Sequence, residues 1–476
     1  MKKIVCILIA VIYNLIAFCQ LKNGFDADEY GELMKMSAKF GDSAYRSVTP
    51  SPLRSKFIKR SQIVGLDNCW DLWIMQDSIA VISIRGTTAK PESWLANFYA
   101  AMVPAKGTLK LNSNYQFKYD LAKNPKAAVH TGWLICTGFL MPSVLSGIDS
   151  CYKSGIINFI IMGHSQGGAI GYLLTSHLYN LKETGRLPVD ISFKTLLSAA
   201  PKPGNLYYAY DYEFMTKNGR SYNVVNAADW VPESPFTVQT IDDLNHTNPF
   251  KNARQIIRKQ KFPQKIALRF AYNKLSKPAK KAQKLNTKIL GKFVAKSIQK
   301  TLPEYETPEY FNSADYVRAG NNIILLPDSI YYTFYPDDEK KIFVHHYHTA
   351  YLYLLAKQYQ HKSYSTTGNW TLEFISGNTI DFKSLYPTII PSILLNEKEK
   401  TVTGINGCNR ISGQFYQLND TFRLDQPLIS TKIFCNGEGE NLFMNTLKKV
   451  NRYQIDFEGY LLLFHSGSMV MKFKKN

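Results

Sequence analysis

Gly163-His164-Ser165-Gln166-Gly167-Gly168 is the segment that most restricts how this chain can fold. An apolar, β-rich run at 156–162 leads straight into it. Residues 167–179 follow, with Ala169, Ile170, Leu173, Leu174 and Leu178 at helical spacing. A strand that becomes a helix within so few residues needs unusual backbone angles and brings its neighbours close. Glycines two before and two after the serine remove the side chains that would collide. The serine hydroxyl is left at the tip of the bend, next to the N–H groups of a helix start, where anionic charge is favoured. The pattern is that of a nucleophile elbow and predicts Ser165 as an attacking group. The bland alternative is a tight strand–helix turn in a protein without activity.

Other runs fit the same architecture. Residues 79–84, 193–198 and 222–225 read as buried strands, and 26–40 as a helix with Leu33, Met34, Met36 and Phe40 as its apolar positions. The first of these strands ends on Arg85-Gly86-Thr87-Thr88. The second ends on Ala200-Pro201-Lys202-Pro203-Gly204, which must turn. Apolar strands that alternate with helices predict an α/β fold with a sheet covered on both faces.

A serine is a poor nucleophile at neutral pH unless an imidazole takes its proton and an acid orients that imidazole. In α/β hydrolases the order along the chain is serine, acid, histidine. Asp229 stands just after the strand at 222–225 and is the predicted acid; Asp242 and Asp243 have a less strand-like setting. His345, His346 and His348 crowd the stretch before a closing helix at 351–356, and the residues alone do not choose among them. His164 is too near the serine in sequence to be its base, and His130 precedes it. The oxyanion of a tetrahedral intermediate needs two donors. The backbone N–H of Gln166 is one. Thr87 is the other, through backbone N–H and hydroxyl, with Thr88 as fallback. Arg85 is expected to tie loops together by ion pairing. No metal or cofactor is required by this chemistry.

The chain has 476 residues, more than one ordinary domain. Lys2 and Lys3 precede a nearly unbroken apolar run at 4–15, and Ala17 and Cys19 stand before Gln20. Residues 1–19 therefore read as a secretory signal peptide. An uncleaved anchor and a lipoprotein anchor at Cys19 are the alternatives. With no later run of about twenty apolar residues, no second membrane element is expected. Five cysteines follow, an odd number for an exported chain. They form no Cys-x-x-Cys spacing and no histidines group with them, which argues against zinc. Cys408 and Cys435 share one region and could pair.

The net charge of +20 is concentrated: residues 251–300 carry sixteen Lys and Arg and no Asp or Glu. The stretch 250–303 is helical in pattern and divided by Pro263 and Pro278. It reads as a helical insertion within about 240–330. It can dock on anionic lipid head groups, cap a pocket, or form a solvated face; a cap that also meets membrane surfaces is the preferred reading. Its many apolar positions and the export signal argue against nucleic acid as a partner. Residues 20–357 then form one domain and the polar stretch 358–369 a linker. Short β-like runs from Trp370 onward form a second, β-rich domain at 370–476. Oligomeric state is left open.

These motifs resemble the class 3 lipase family, the fungal triacylglycerol lipase type of α/β hydrolase, over about 26–357 without much of 240–330. The residues that carry the resemblance are Ile84-Arg85-Gly86-Thr87-Thr88 with Trp94, Val129-His130-Thr131-Gly132-Trp133, the elbow, and Asn226, Asp229, Val231 and Pro232. Ala200 stands where the family usually has glycine. The resemblance favours His346 as base, because Tyr351 lies five residues beyond it; His348, three before Tyr351, fits another variant. It implies cleavage of carboxylic esters of lipids through an acyl-enzyme on Ser165, as a triacylglycerol lipase or esterase. A phospholipase at anionic membrane surfaces and a non-catalytic envelope binding protein are the alternatives. It also makes residues 90–110, with Trp94, Phe98, Tyr99, Met102 and Val103, a lid, against an ordinary packed amphipathic helix. Gly404-Ile405-Asn406-Gly407-Cys408-Asn409, Gly413, Tyr416, Ser430-Thr431, Cys435 and Trp370 resemble the META (HslJ-like) domain over about 366–474. That resemblance implies a small β-rich fold of the bacterial envelope, hence a periplasmic, cell-surface or secreted protein.

Overall fold

The structure, a computed structural model, describes residues 21–476 except 360–364, 379, 419–420, 436, 456–458 and 467. The expected signal segment, 1–19, lies outside the described residues. The chain divides into two compact units: residues up to Ser37 with Pro52–Ile324, and Ala38–Ser51 with Leu325–Asn476. The division precedes the polar 358–369 stretch, because the helix His348–Tyr359 packs with the second unit.

The first unit is built on a seven-stranded sheet in the order Ser55–Arg60, Trp70–Met75, Ile79–Ile84, Asn158–His164, Ser192–Ser198, Ser221–Asn226, Asn321–Leu325. The first three form an antiparallel meander. Ile79–Ile84, Asn158–His164, Ser192–Ser198 and Ser221–Asn226 run parallel. Every residue of Ile79–Ile84 and of Asn158–His164 is buried, as expected of parallel strands covered on both sides.

The alternation along Ser192–Ser198 shows the two covers. Lys194 pairs with Glu29, and Ser198 Oγ meets Tyr30 OH at 2.6 Å, both partners on the helix Ala27–Ser37. Thr195 Oγ1 meets Thr175 Oγ1 at 2.8 Å on Gln166–Glu183. Even and odd positions of a strand point to opposite faces, so these helices lie on opposite sides. The expected helix at 26–40 ends as a 3-10 turn, Ala38–Phe40.

Thr131–Lys153 packs beside Gln166–Glu183. It is long and apolar enough to cross a membrane, by length and composition alone. This corrects the expectation that no such run follows the first. Here it is a core helix, with Leu134, Ile135, Leu140 and Val144 buried.

The basic insertion is helical, as Ala253–Arg258, Gln264–Asn286, a π-helical turn Thr287–Phe293 and Val294–Thr301. Pro263 precedes the long helix, but Pro278 lies inside it instead of dividing it. Proline removes the hydrogen bond to the carbonyl four residues back. That residue, Lys274, is exposed, so water can serve its carbonyl. The end of the insertion is anchored: Val294, Ala295 and Ile298 join the main core.

The second unit contains a closed eight-stranded barrel. Its order is Thr401–Ile405, Ser392–Asn396, Gly368–Ile375, Ser468–Lys475, Leu461–His465, Arg452–Ile455, Thr421–Leu424 and Arg410–Leu418, and the last pairs again with the first. Trp370, Leu372, Ile393, Phe415, Leu463 and Phe473 fill it, with Phe443 and Leu447 of the helix Gly439–Lys449. Cys408 and Cys435 form a disulfide with Cα atoms 6.2 Å apart. Asn409 explains the motifs around them. Its amide nitrogen donates to Glu440 Oε1 at 3.0 Å, and its Oδ1 accepts from Thr431 Oγ1 and the Ile433 N–H at 2.7 Å each.

Candidate active site

Ser165 joins the strand Asn158–His164 to the helix Gln166–Glu183 with φ 61° and ψ −132°. A side-chain-bearing residue is strained there, so the surroundings must hold it. The Ser165 N–H donates to Ser198 O at 2.9 Å, and Ser165 O accepts from the N–H groups of Gly168 and Ala169 at 2.9 and 3.2 Å. The glycines are required by space. A Cβ on Gly163 would stand 2.1 Å from Gly167 O, and one on Gly167 would stand 2.3 Å from Ile84 O.

Ile84 is paired with Gly163 across the sheet, so the loop after Ile84 leaves the same edge as the elbow. Gly86 lies so near that a Cβ there would be 3.5 Å from Ser165 Cβ. The next residue, Thr87, accepts a hydrogen bond at its hydroxyl from Asn97 Nδ2 at 3.0 Å. Asn97 Oδ1 accepts from Gln166 Nε2 at 2.8 Å and from Trp133 Nε1 at 3.0 Å. Gln166 Nε2 also donates to Ser93 O at 2.9 Å. One asparagine thus links the two residues predicted as oxyanion donors. The backbone N–H of Gln166 is among the first of its helix, the groups that a helix cannot satisfy internally.

Thr88 is not available as the fallback donor. Its hydroxyl donates to Asp67 Oδ2 at 2.7 Å and its N–H donates to Ser93 Oγ at 3.1 Å. Asp67 gathers this loop, pairing with Arg85 at 3.1 Å and Lys90 at 2.9 Å. Burial works to raise the Asp67 carboxyl, but hydrogen bonds from Lys90 and Thr88 and the Arg85 charge hold it below the usual carboxylate range. Arg85 is the loop tie that its position suggested.

Asp229 is buried beyond the end of Ser221–Asn226. Its Oδ1 accepts from the Val231 N–H at 3.0 Å, and its own N–H donates to Asn226 O at 3.0 Å. One strand separates this strand from the one that ends at the elbow. Two strand spacings are roughly 10 Å, a gap that an imidazole between a serine oxygen and a carboxylate can bridge.

Ser165, Asp229, Thr87 and Gln166 belong to the first unit, and the three late histidines to the second. His345 has both ring nitrogens engaged: Nδ1 with Tyr331 OH at 2.8 Å and Nε2 with Asp337 Oδ1 at 3.0 Å. His348 Nδ1 meets Tyr45 OH at 2.7 Å, and burial, aided by the charge of His346, pushes its pKa down to about 3. A general base works best with a pKa near the working pH, which disfavours His348. His346 is buried on the turn between them. His164 packs beside the elbow, its Nδ1 3.0 Å from Ser198 Oγ. His130 is a buried helix cap stacked on Trp133, and burial lowers its pKa to about 3.

The middle of the 90–110 segment, Tyr99 to Val103, is core. Tyr99, Met102 and Val103 are buried, whereas Phe98 is exposed. The helix Pro91–Phe98 sits so close to Thr131–Lys153 that a Cβ on Gly132 would be 2.0 Å from Ala96 O. This is the packed amphipathic helix of the two sequence readings. Asn97, Ser93 and Asp67 were missed in the sequence, because their partners lie far from them along the chain.

Residues 81–239 match the class 3 lipase family and residues 364–476 the META domain. The class 3 lipase match thus falls on the α/β fold of the first unit, and the META match on the barrel of the second. Among solved structures, the Rhizomucor miehei lipase–propeptide complex is similar at 19% identity and TM-score 0.33, over 45% of this chain and 65% of that one. Lip2 lipase from Yarrowia lipolytica gives 16%, 0.34, 46% and 77%. Lipase II from Rhizopus niveus gives 19%, 0.31, 44% and 74%. The matched span is thus just under two thirds of the first of these proteins. No curated protein matches the chain.

Proposed function

We propose that this protein cleaves carboxylic esters of lipids through an acyl-enzyme on Ser165. The observation that carries the proposal is the elbow: a serine at φ 61°, fixed between glycines that leave no room for a Cβ, with the Thr87 loop beside it. His346 takes the Ser165 proton as the hydroxyl attacks the ester carbonyl, and Asp229 orients the imidazole. The N–H of Gln166 and the Thr87 hydroxyl and N–H receive the negative charge on the former carbonyl oxygen. His346 then gives its proton to the departing alcohol. In the second half it activates water, which releases the fatty acid and restores Ser165. The test is a panel of long-chain triglyceride, phospholipid, soluble short ester and acetylated sugar, run with the native enzyme and with Ser165→Ala. Preference for the lipid esters, lost in the variant, is expected. Preference for acetylated sugar would contradict the lipid assignment, and undiminished turnover by Ser165→Ala would contradict the mechanism.

The second reading, a phospholipase at anionic membrane surfaces, is favoured by the insertion. The only ion pair of its sixteen cations among the described residues is Lys280–Asp242. Leu268, Leu275, Ile289 and Phe293 are exposed on the same stretch and share one side at helical spacing. Exposed apolar groups among many cations suit the interface of an anionic bilayer. The Cys408–Cys435 disulfide supports the proposal of an exported protein, because disulfides persist in oxidising compartments.

A further inference from the structure

Ser198 ends the strand Ser192–Ser198 and is the register partner of His164 in the neighbouring strand. Both its backbone and its side chain reach the elbow. Ser198 O accepts from the Ser165 N–H at 2.9 Å, and Ser198 Oγ lies 3.0 Å from His164 Nδ1. The same Oγ meets Tyr30 OH at 2.6 Å. Tyr30, Ser198 and His164 are all buried, a setting in which hydrogen bonds are electrostatically stronger than in water.

The protons of this row can be assigned. Among the described residues, Tyr30 OH meets one polar partner, Ser198 Oγ. A buried hydroxyl proton is donated to something. Burial also raises the Tyr30 pKa far above its ordinary value, which keeps the proton on the phenol. Tyr30 therefore donates to Ser198 Oγ. The Ser198 proton is left for His164 Nδ1, which accepts it as the unprotonated nitrogen of a neutral ring.

Residues 198–200 also press on the far end of the elbow. A Cβ on Gly168 would stand 2.7 Å from Ala200 Cβ. Ala199, between them, has φ 49°, and its N–H donates to Val224 O at 2.9 Å. Strained backbone persists only where its surroundings over-determine it. Ser165, at φ 61°, meets that condition through Ser198, which bonds Ser165 by its carbonyl and His164 by its hydroxyl.

Tyr30 ties this corner to a separate element, the helix Ala27–Ser37. Its neighbour Glu29 pairs with buried Lys194, four residues before Ser198. Phe25 lies against both Tyr30 and Tyr222, with ring centres 5.8 Å apart in each case. The helix is thus held to the sheet on either side of the phenol.

We propose that Tyr30 and Ser198 are positioning residues for the nucleophile. The phenol orients the Ser198 hydroxyl, which holds the His164 ring, while the Ser198 carbonyl holds the Ser165 N–H. The inference rests on Ser165 being the nucleophile. Both residues act through the backbone of the elbow, so their removal lowers kcat and leaves KM in place. A misplacement of about 1 Å at a reacting atom can cost about a hundredfold in rate.

The test uses the full chain with Tyr30→Phe, Ser198→Ala, the double variant, His164→Asn, His164→Leu and Ser165→Ala. Near-UV circular dichroism verifies folding. The readouts are the rate of labelling by a fluorophosphonate, and kcat and KM on a soluble short ester. Ser198→Ala is expected to lower the labelling rate and kcat about tenfold and Tyr30→Phe about threefold, with KM within about twofold. The double variant should be no slower than Ser198→Ala alone, because the phenol acts through that hydroxyl. His164→Asn keeps an acceptor near the place of Nδ1 and should be faster than His164→Leu. Native rates in folded Tyr30→Phe and Ser198→Ala would overturn the proposal, as would losses that multiply in the double variant or equal rates in the two His164 variants. A native protein that takes no label, or labelling that survives Ser165→Ala, would overturn the nucleophile itself. If Ser198→Ala does not fold, Tyr30→Phe decides: it lacks one oxygen, and slowed labelling with unchanged KM supports the proposal, whereas native labelling overturns it.

Discussion

The elbow and the basic insertion belong to the same unit and obey opposite rules. At the elbow, carbonyls stand 2.1 and 2.3 Å from where side chains on Gly163 and Gly167 would begin, so space dictates the residue. Along residues 261–271 every position is exposed, so packing dictates nothing, and the sixteen cations reflect whatever surface the arm meets. The first region is specified by the fold; on the proposed reading the second answers to a membrane surface.

Substitutions can break this contrast. Replacing Lys274, Lys277, Lys281 and Lys284 with Gln should leave melting unchanged but weaken adsorption to phosphatidylglycerol vesicles by about 4 kcal/mol, near 1 kcal/mol per cation at a surface. Phosphatidylcholine vesicles should show little change. Co-sedimentation measures both, and equal binding by the variant would make the arm a solvated face.

Gly167→Val should have the reverse profile. Its Cβ meets the Ile84 carbonyl, so chemical denaturation should show a loss of about 3 kcal/mol or more, the cost of overpacking, together with loss of turnover. Leu275→Gln, at a site 79% exposed, should stay within about 0.5 kcal/mol. Similar losses from the two would contradict the contrast.

The smallest expected effect concerns pH. His130 is buried and uncharged, with its pKa lowered by burial from 6.5 to about 3. The unfolded chain takes up a proton there below pH 6.5 and the folded chain does not until about pH 3. Stability is therefore full above 6.5 and falls as the pH drops towards 3. From pH 7 to pH 5 the loss is about 2 kcal/mol for this one group, visible in thermal melts. His130→Asn should flatten that slope, and an unchanged slope would show that His130 does not set it.

The contrast also explains what could be read from the sequence. Strand 79–84 appears at the predicted residues, strand 193–198 starts one residue earlier and strand 222–225 extends by one residue at each end, because apolar runs between turn residues have few other solutions. Ser165 and Gly86–Thr87 were legible for the same spatial reason. Asn97 was not, since its contacts with Thr87, Trp133 and Gln166 join positions 10, 36 and 69 residues apart. Nor was the contact of Tyr45 with His348, which spans 303 positions. The helix before the polar 358–369 stretch was not legible as a neighbour of the barrel, because its Tyr353 meets Arg452 across 99 positions.

The central claim is that Ser165 is the activated nucleophile. A fluorophosphonate probe, followed by digestion and mass spectrometry, addresses it without any assumption about substrate. The account predicts one adduct, on the peptide that contains Ser165, formed quickly by the native protein and absent from Ser165→Ala. A folded native protein that forms no adduct there, or one equally labelled after Ser165→Ala, would contradict it.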